Sequence, residues 1–218
     1  MTSRIEISAD HPAEDIIRRA AQIIQCGGTV IFPTRGLYGI GADALAPAAL
    51  KRVFEIKKRP AHKPILVLVA DMEMIMPLVR SIPPWGQPLM RAFWPGKVTF
   101  LFEAAQGLPA GLTGRDGKVG IRLPSHPVAR ALVGAVGRPL TATSANRSGA
   151  PAAAAVERIP SLLSTKVDLI LDAGRLAGGP GSTVLDITVW PPAVLRPGAA
   201  PVDAIQRALD RLRPQGRH

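Results

Sequence analysis

The sequence predicts an α/β domain built on a mixed β-sheet. Two observations lead there. In the first half, segments with apolar residues at helical spacing alternate with β-branched or continuously apolar runs. In the second half, short strand-like runs dominate. A third observation bears on domain count: the 218 residues contain neither an internal repeat nor a linker. Residues 1–213 are therefore expected to form one domain, with a frayed tail at 214–218.

Taken in order, Ile5–Ile7 reads as a short strand. Ala13–Cys26 reads as a helix, because Ile16, Ile17, Ala20, Ile23 and Ile24 recur on one face. Pro12 suits its first turn and Gly27-Gly28 its end. Thr29–Phe32 is β-branched and aromatic, the mark of a buried strand. Pro47 opens a helix over Ala48–Lys58, and Pro60 closes it. Ile65–Ala70 is a continuous apolar run and a second buried strand. Helices are expected at Met72–Val79 and Gln87–Phe93. Val98–Phe102 and Val119–Arg122 read as strands, Val128–Val136 as a helix, Leu140–Thr143 as a strand and Ala152–Arg158 as a helix. Three strands follow at Leu169–Leu171, Thr183–Ile187 and Val194–Arg196. Val202–Leu212 is a terminal helix with Ile205, Leu209 and Leu212 on one face.

Lys and Arg total 27 against 16 for Asp and Glu, a net charge of +11. That surplus favours anionic partners such as nucleotides, phosphates or nucleic acid, although it also serves simply to solubilise a surface. Cys26 is the single cysteine, which excludes an intramolecular disulfide and a cysteine metal cluster. Its apolar neighbourhood reads as that of a buried structural thiol. His11, His62, His126 and His218 are scattered without metal spacing, so no protein-ligated metal is expected. His126, ahead of Pro127, reads as a helix cap. No apolar run approaches the ~20 residues of a membrane span, and the N-terminus lacks a signal peptide, so the expected compartment is the cytosol.

Three segments carry chemistry. Phe32–Gly41 holds Gly36, Gly39 and Gly41 after a buried strand, so its backbone can approach a ligand closely. It matches neither a Walker loop nor a dinucleotide fingerprint. Lys57-Lys58-Arg59-Pro60-Ala61-His62-Lys63-Pro64 sets four cations on a short proline-bracketed loop. Such a cluster suits a phosphate clamp, or more plainly a solvated helix end. Thr141–Gly149 crowds hydroxyls, an amide and a guanidinium past the carboxyl end of a strand, where α/β sheets bind ligands. The same residues also make an ordinary polar turn.

Together these segments resemble the YrdC/TsaC family of threonylcarbamoyl-AMP synthases. The likeness runs through Phe32-Pro33-Thr34 with Tyr38-Gly39-Ile40-Gly41, then Lys57-Lys58-Arg59-Pro60 and Phe93-Trp94-Pro95-Gly96-Lys97-Val98-Thr99. It continues through Val119-Gly120-Ile121-Arg122-Leu123-Pro124, Ser144-Ala145-Asn146-Arg147-Ser148-Gly149, Gly181-Ser182-Thr183-Val184-Leu185-Asp186 and Leu195-Arg196-Pro197-Gly198. The motifs stand in family order across nearly the whole chain. The resemblance implies a twisted mixed sheet with flanking helices around a basic concave cavity, without the extra C-terminal domain of some members.

The implied substrates are ATP, L-threonine and bicarbonate, with Mg2+. Threonine carboxylated on its amine would attack the α-phosphate and release pyrophosphate. The product would pass to a TsaD-type transferase acting on adenosine 37 of tRNA. By the same resemblance Lys57 and Arg59 are catalytic and hold the phosphates, with Lys63, Lys118, Ser144, Asn146 and Arg196 also at the nucleotide. Thr34, Arg35, Arg122, Thr143 and Ser182 face threonine. The chain departs from the family at Arg35-Gly36, where an acid and a hydroxyl or alanine residue are usual. Gly36 is expected to open room for an inward-turned Arg35. Two other readings compete: a YciO-like paralogue with another acceptor or weak activity, and a non-catalytic module with weak RNA binding. Against the second, only 4% of residues are aromatic, leaving few platforms for stacked bases.

Overall fold

Ten strands form one mixed sheet, and the segments that predict them explain its two faces. The structure, a computed structural model, describes residues 2–212. In chain order the strands are β1 (Ser3–Glu6), β2 (Val30–Pro33), β3 (Tyr38–Gly41), β4 (Leu66–Leu68), β5 (Val98–Glu103), β6 (Lys118–Arg122), β7 (Leu140–Ser144), β8 (Leu169–Asp172), β9 (Thr183–Asp186) and β10 (Ala193–Arg196). Their spatial order is β1-β8-β2-β3-β7-β4-β6-β5-β9-β10. Parallel pairs, such as β2 with β8 and β4 with β6, are mixed with antiparallel ones, such as β3 with β7. The helices are α1 (Glu14–Gln25), α2 (Pro47–Lys57), α3 (Gly86–Phe93), α4 (Pro127–Val136), α5 (Ser161–Ser164) and α6 (Val202–Leu212).

Side chains alternate across a strand, so each strand feeds both faces. Val30 and Phe32 join Ile17, Ala20 and Ile24 of α1 and Leu132 of α4 in one core. Ile31, between them in sequence, joins the opposite core with Val53 of α2, Phe100 of β5 and Ile205 of α6. Burying one such Ile or Phe is worth about 1.5–3 kcal/mol, so each face stands on many small contributions. Glu14 and Asp15 lie in the first turn of α1, where carboxylates complement the helix dipole. The chain leaves α2 through Lys58 in the left-handed conformation, φ 47°, which turns the basic segment back toward the sheet.

Four expectations need correction. Tyr38–Gly41, read as part of a ligand loop, is a fully buried strand. A Cβ on Gly41 would stand 2.6 Å from the Phe32 ring, so this glycine serves packing rather than a ligand. Residues 152–158 do not form a helix. Only Val156–Arg158 makes a 3-10 turn, and the alanines before it run extended. Their carbonyls are taken from elsewhere: Tyr38 N donates to Ala153 O at 2.9 Å and Leu176 N to Ala154 O at 2.7 Å. Residues 73–78 form a 3-10 helix, with Pro77 inside it denying an α-helical hydrogen bond. Cys26 is exposed rather than buried, because it stands just past the end of α1 and faces outward. The expected tail at 214–218 lies outside the described residues.

Candidate active site

A cavity of about 280 Å³ opens on the sheet, and the ends of strands distant in sequence build it. Its floor is apolar, with Phe32 and Tyr38 beside Leu66 and Leu68. Three guanidinium groups line it: Arg59 just after α2, Arg122 at the end of β6 and Arg196 at the end of β10. Hydroxyls from Thr34, Thr99, Thr143, Ser144 and Ser182 complete the polar lining, which includes no Asp or Glu.

Backbone carbonyls, not carboxylates, fix the three arginines. Arg59 donates from Nε to Lys63 O at 2.8 Å and from Nη2 to Pro64 O at 2.8 Å. Arg122 donates from Nε to Gly96 O at 2.8 Å. Arg196 donates from Nη2 to Ser182 O at 2.7 Å. Each anchor aims a guanidinium without cancelling its charge. Burial pushes Arg122 down to about 10, and the nearby Arg35 charge adds to this. Burial also lowers Arg59, with Arg196 repelling it, and desolvation lowers Arg196. All three shifts express a positive charge held without compensation, a cost that a bound anion would remove.

The hydroxyls are held as firmly. Ser182 Oγ and Thr99 Oγ1 share a hydrogen bond of 2.7 Å, Thr34 Oγ1 donates to Leu37 O at 2.6 Å, and Ser144 Oγ donates to Asn146 Oδ1 at 2.6 Å. Fixed donors and acceptors around an empty volume can orient a polar ligand at little entropic cost.

Of the residues expected at the site, Thr34, Arg59, Arg122, Thr143, Ser144, Ser182 and Arg196 converge on the cavity. Others stand elsewhere. Lys57 is buried beneath the cavity wall, its ammonium bonded to Ser144 O, to Asn146 O at 2.6 Å and to Asn146 Oδ1 at 3.0 Å. Three acceptors occupy its three N–H groups, so it has none left for a phosphate. Asn146 accepts from Lys57 and Ser144 with its Oδ1 and spends one of its two Nδ2 N–H groups on Ala150 O. Lys63 is exposed outside the cavity. Lys118 pairs with Asp186 at 2.7 Å, away from the lining.

Arg35 is exposed, and it borders a small side lobe that it shares with Lys97, Arg122 and Ser182. Gly36 makes no room beside it. A Cβ there would meet Gly178 O at 2.2 Å, and Gly178 N donates to Gly36 O at 2.9 Å. This glycine lets the loop around Gly178 close against the chain. His126 does occupy the N-cap position of α4, but its side chain makes no capping bond, and its buried Nδ1 has no partner among the described residues. Thr99 and Lys97 were not singled out as site residues. The one signal for Thr99 was a lone hydroxyl in the apolar run Val98–Phe102.

The Sua5/YciO/YrdC family model, described as "Telomere recombination", matches residues 22–198. The chain belongs to this family. A threonylcarbamoyl-AMP synthase of Pyrococcus abyssi is 38% identical over 90% of the chain. The chain spans 58% of that relative's length. The crystal structure of P. abyssi Sua5 complexed with L-threonine superposes with a TM-score of 0.90 at 37% identity, over 95% of this chain and 61% of that one. Escherichia coli YciO superposes at 0.84 with 28% identity, over 94% of this chain and 99% of that one. The twisted mixed sheet with flanking helices is thus the Sua5/YciO/YrdC fold.

Among the described residues, the lining does not fit a protein-held magnesium ion. The cavity lining holds no carboxylate, histidine or cysteine, and among the described residues no group of three or more such side chains is placed to hold a metal. Among the described residues, no helix is long and apolar enough to cross a membrane.

Proposed function

We propose that this protein is an L-threonylcarbamoyladenylate synthase that makes threonylcarbamoyl-AMP and pyrophosphate from L-threonine, bicarbonate and ATP. The observation that carries this reading is the acid-free cavity with three uncompensated arginines among fixed hydroxyls. Every substrate and product of the reaction bears negative charge, so one cationic cavity serves all of them. In this reading Arg59 and Arg196 hold the triphosphate, and Arg122 holds the threonine carboxylate. Thr34, Thr143 and Ser182 surround the amino acid, and Ser144 touches the nucleotide. The neutral threonine amine attacks the bicarbonate carbon, the N–C bond forms, and the bicarbonate hydroxyl leaves as water with an amine proton. The N-carboxylate oxygen attacks the α-phosphorus, and the α–β bridging oxygen leaves with pyrophosphate. Guanidinium groups fixed before the reaction stabilise the charge that builds on the phosphoryl oxygens. Magnesium would arrive on the triphosphate. The product suits a TsaD-type transferase in the cytosol, with at most weak contact between this protein and RNA.

The test is mass spectrometry of the nucleotide product together with pyrophosphate release. Threonine and bicarbonate should both be required, and the adduct mass should appear. Pyrophosphate formed without threonine would sink the reading.

Arg35 and Gly36 favour a second reading, a YciO-like paralogue with another acceptor, since a base stands where the family carries an acid. Threonine titrations of the wild type and Arg35→Glu separate the two. A changed threonine dependence places Arg35 at the acceptor, and superimposed curves remove this support for the paralogue.

A further inference from the structure

Lys57 is an unusual use of a lysine. It is the last residue of α2 and 1% exposed, and among the described residues no carboxylate pairs with it. Its ammonium reaches across to the loop after β7, where it bonds Ser144 O, Asn146 O and Asn146 Oδ1. Its own backbone carbonyl accepts from Ser148 N at 3.1 Å. One residue therefore clasps residues 144–148 from two directions. The joined parts both contribute to the cavity lining. Two residues beyond Lys57 stands Arg59, tied to Lys63 O and Pro64 O, while the clasped loop begins at Ser144.

We propose that Lys57 is a positioning residue that holds the Ser144 wall of the cavity against the Arg59 wall, and that it does so only as the ammonium. The loss of one proton leaves two N–H groups for three oxygens and turns a lone pair toward the third. An unpaired buried acceptor is costly, so the loop would relax from the neutral lysine.

The surroundings place that change within reach. Burial pushes Lys57 down to about 7, and the Arg59 charge on the adjoining loop adds to it. The β7 loop faces it with carbonyls and an amide, and Arg147 on that loop is exposed. The α5 segment packed on α2 carries no titratable side chain. An anion seated on Arg59 would offset the repulsion and draw Lys57 back to the ammonium. Nucleotide binding would then take up protons near neutral pH.

The role rests on the proposed nucleotide site, but its test does not need turnover. ATP is titrated calorimetrically into the wild type, Lys57→Arg, Lys57→Met and Asn146→Ala at pH 6–9, in buffers of different ionisation enthalpy. With the ammonium required, wild-type affinity should fall about tenfold from pH 6 to pH 8, with proton uptake on binding. Lys57→Arg should keep its charge throughout and flatten the profile. Lys57→Met should bind weakly at every pH without uptake through this site. Asn146→Ala, which keeps two of the three acceptors, should shift affinity in the same direction by less. The changes in ATP's own protonation are common to all four proteins and cancel in the comparison. A wild-type profile that superimposes on that of Lys57→Arg overturns the proposal, as does full ATP affinity in Lys57→Met. If ATP binds as expected and no adduct forms, the synthase reading fails and the positioning role stands.

Discussion

Two sets of cations in this protein have opposite fates. Outside the cavity, basic side chains meet aspartates. Arg4 donates to Asp172 at 2.8 Å, Arg52 to Asp168 at 2.9 Å and Lys118 to Asp186 at 2.7 Å. Hydrogen bonds donated to those aspartates raise Arg4 and Lys118 above their ordinary values. In the cavity, Arg59, Arg122 and Arg196 bond backbone carbonyls and, for Arg196, the Ser182 hydroxyl, and burial lowers them. The direction of each of these shifts tracks whether the cation has a carboxylate partner. The surplus of +11 alone does not make that distinction.

Substitutions on each side should break or sharpen this contrast. The largest effect is expected from Arg122→Gln. Catalytic efficiency for pyrophosphate release should fall about 100-fold, roughly 3 kcal/mol, while the melting midpoint holds. A lost midpoint with intact activity would move Arg122 into the structural set. Arg59→Ala should weaken ATP binding by about 2 kcal/mol, again with little change in melting, and calorimetry reads it directly.

Asp186→Asn should do the reverse, since it strands Lys118 and leaves the cavity intact. A cost of about 1–2 kcal/mol would lower the midpoint by roughly 2–6 °C with ATP affinity unchanged. Burial alone would raise the Asp186 carboxyl, but the bonds from Lys118 and Thr188 outweigh it and hold it below the usual range. Its contribution is therefore complete above the ordinary carboxylate pKa and is lost as pH falls through the lower folded value. Acid melts of the wild type and Asp186→Asn should converge there. The smallest effect is expected from Asp203→Asn, which releases an exposed i,i+4 pair with Arg207 on α6. No measurable change in midpoint is expected, and a clear drop would show that surface pairs matter here more than their exposure suggests.

Much of the fold was legible because its signals are local. The isoleucines at helical spacing gave α1 within a residue at each end, and the β-branched run gave β2. The errors have a local cause too. Tyr38–Gly41 carries two glycines and looked like a loop, while the alanines at 152–155 looked helical. Both form backbone bonds to distant segments, and Tyr38 N to Ala153 O joins the two misread stretches to each other.

By itself, then, the sequence determined most of the elements and, through its resemblance, the family and the cavity's three arginines, because motifs and residue spacing are properties of neighbours along the chain. Tertiary structure alone decided which cations remain free. Lys57 and Arg59 are two positions apart in one motif, yet one lies under the wall and the other on it. The partners that settle this for Lys57 stand 87 and 89 residues away, and Lys118 is claimed by an aspartate 68 residues away. Burial and hydrogen bonding are set by whatever packing brings alongside, and no local pattern encodes that neighbour.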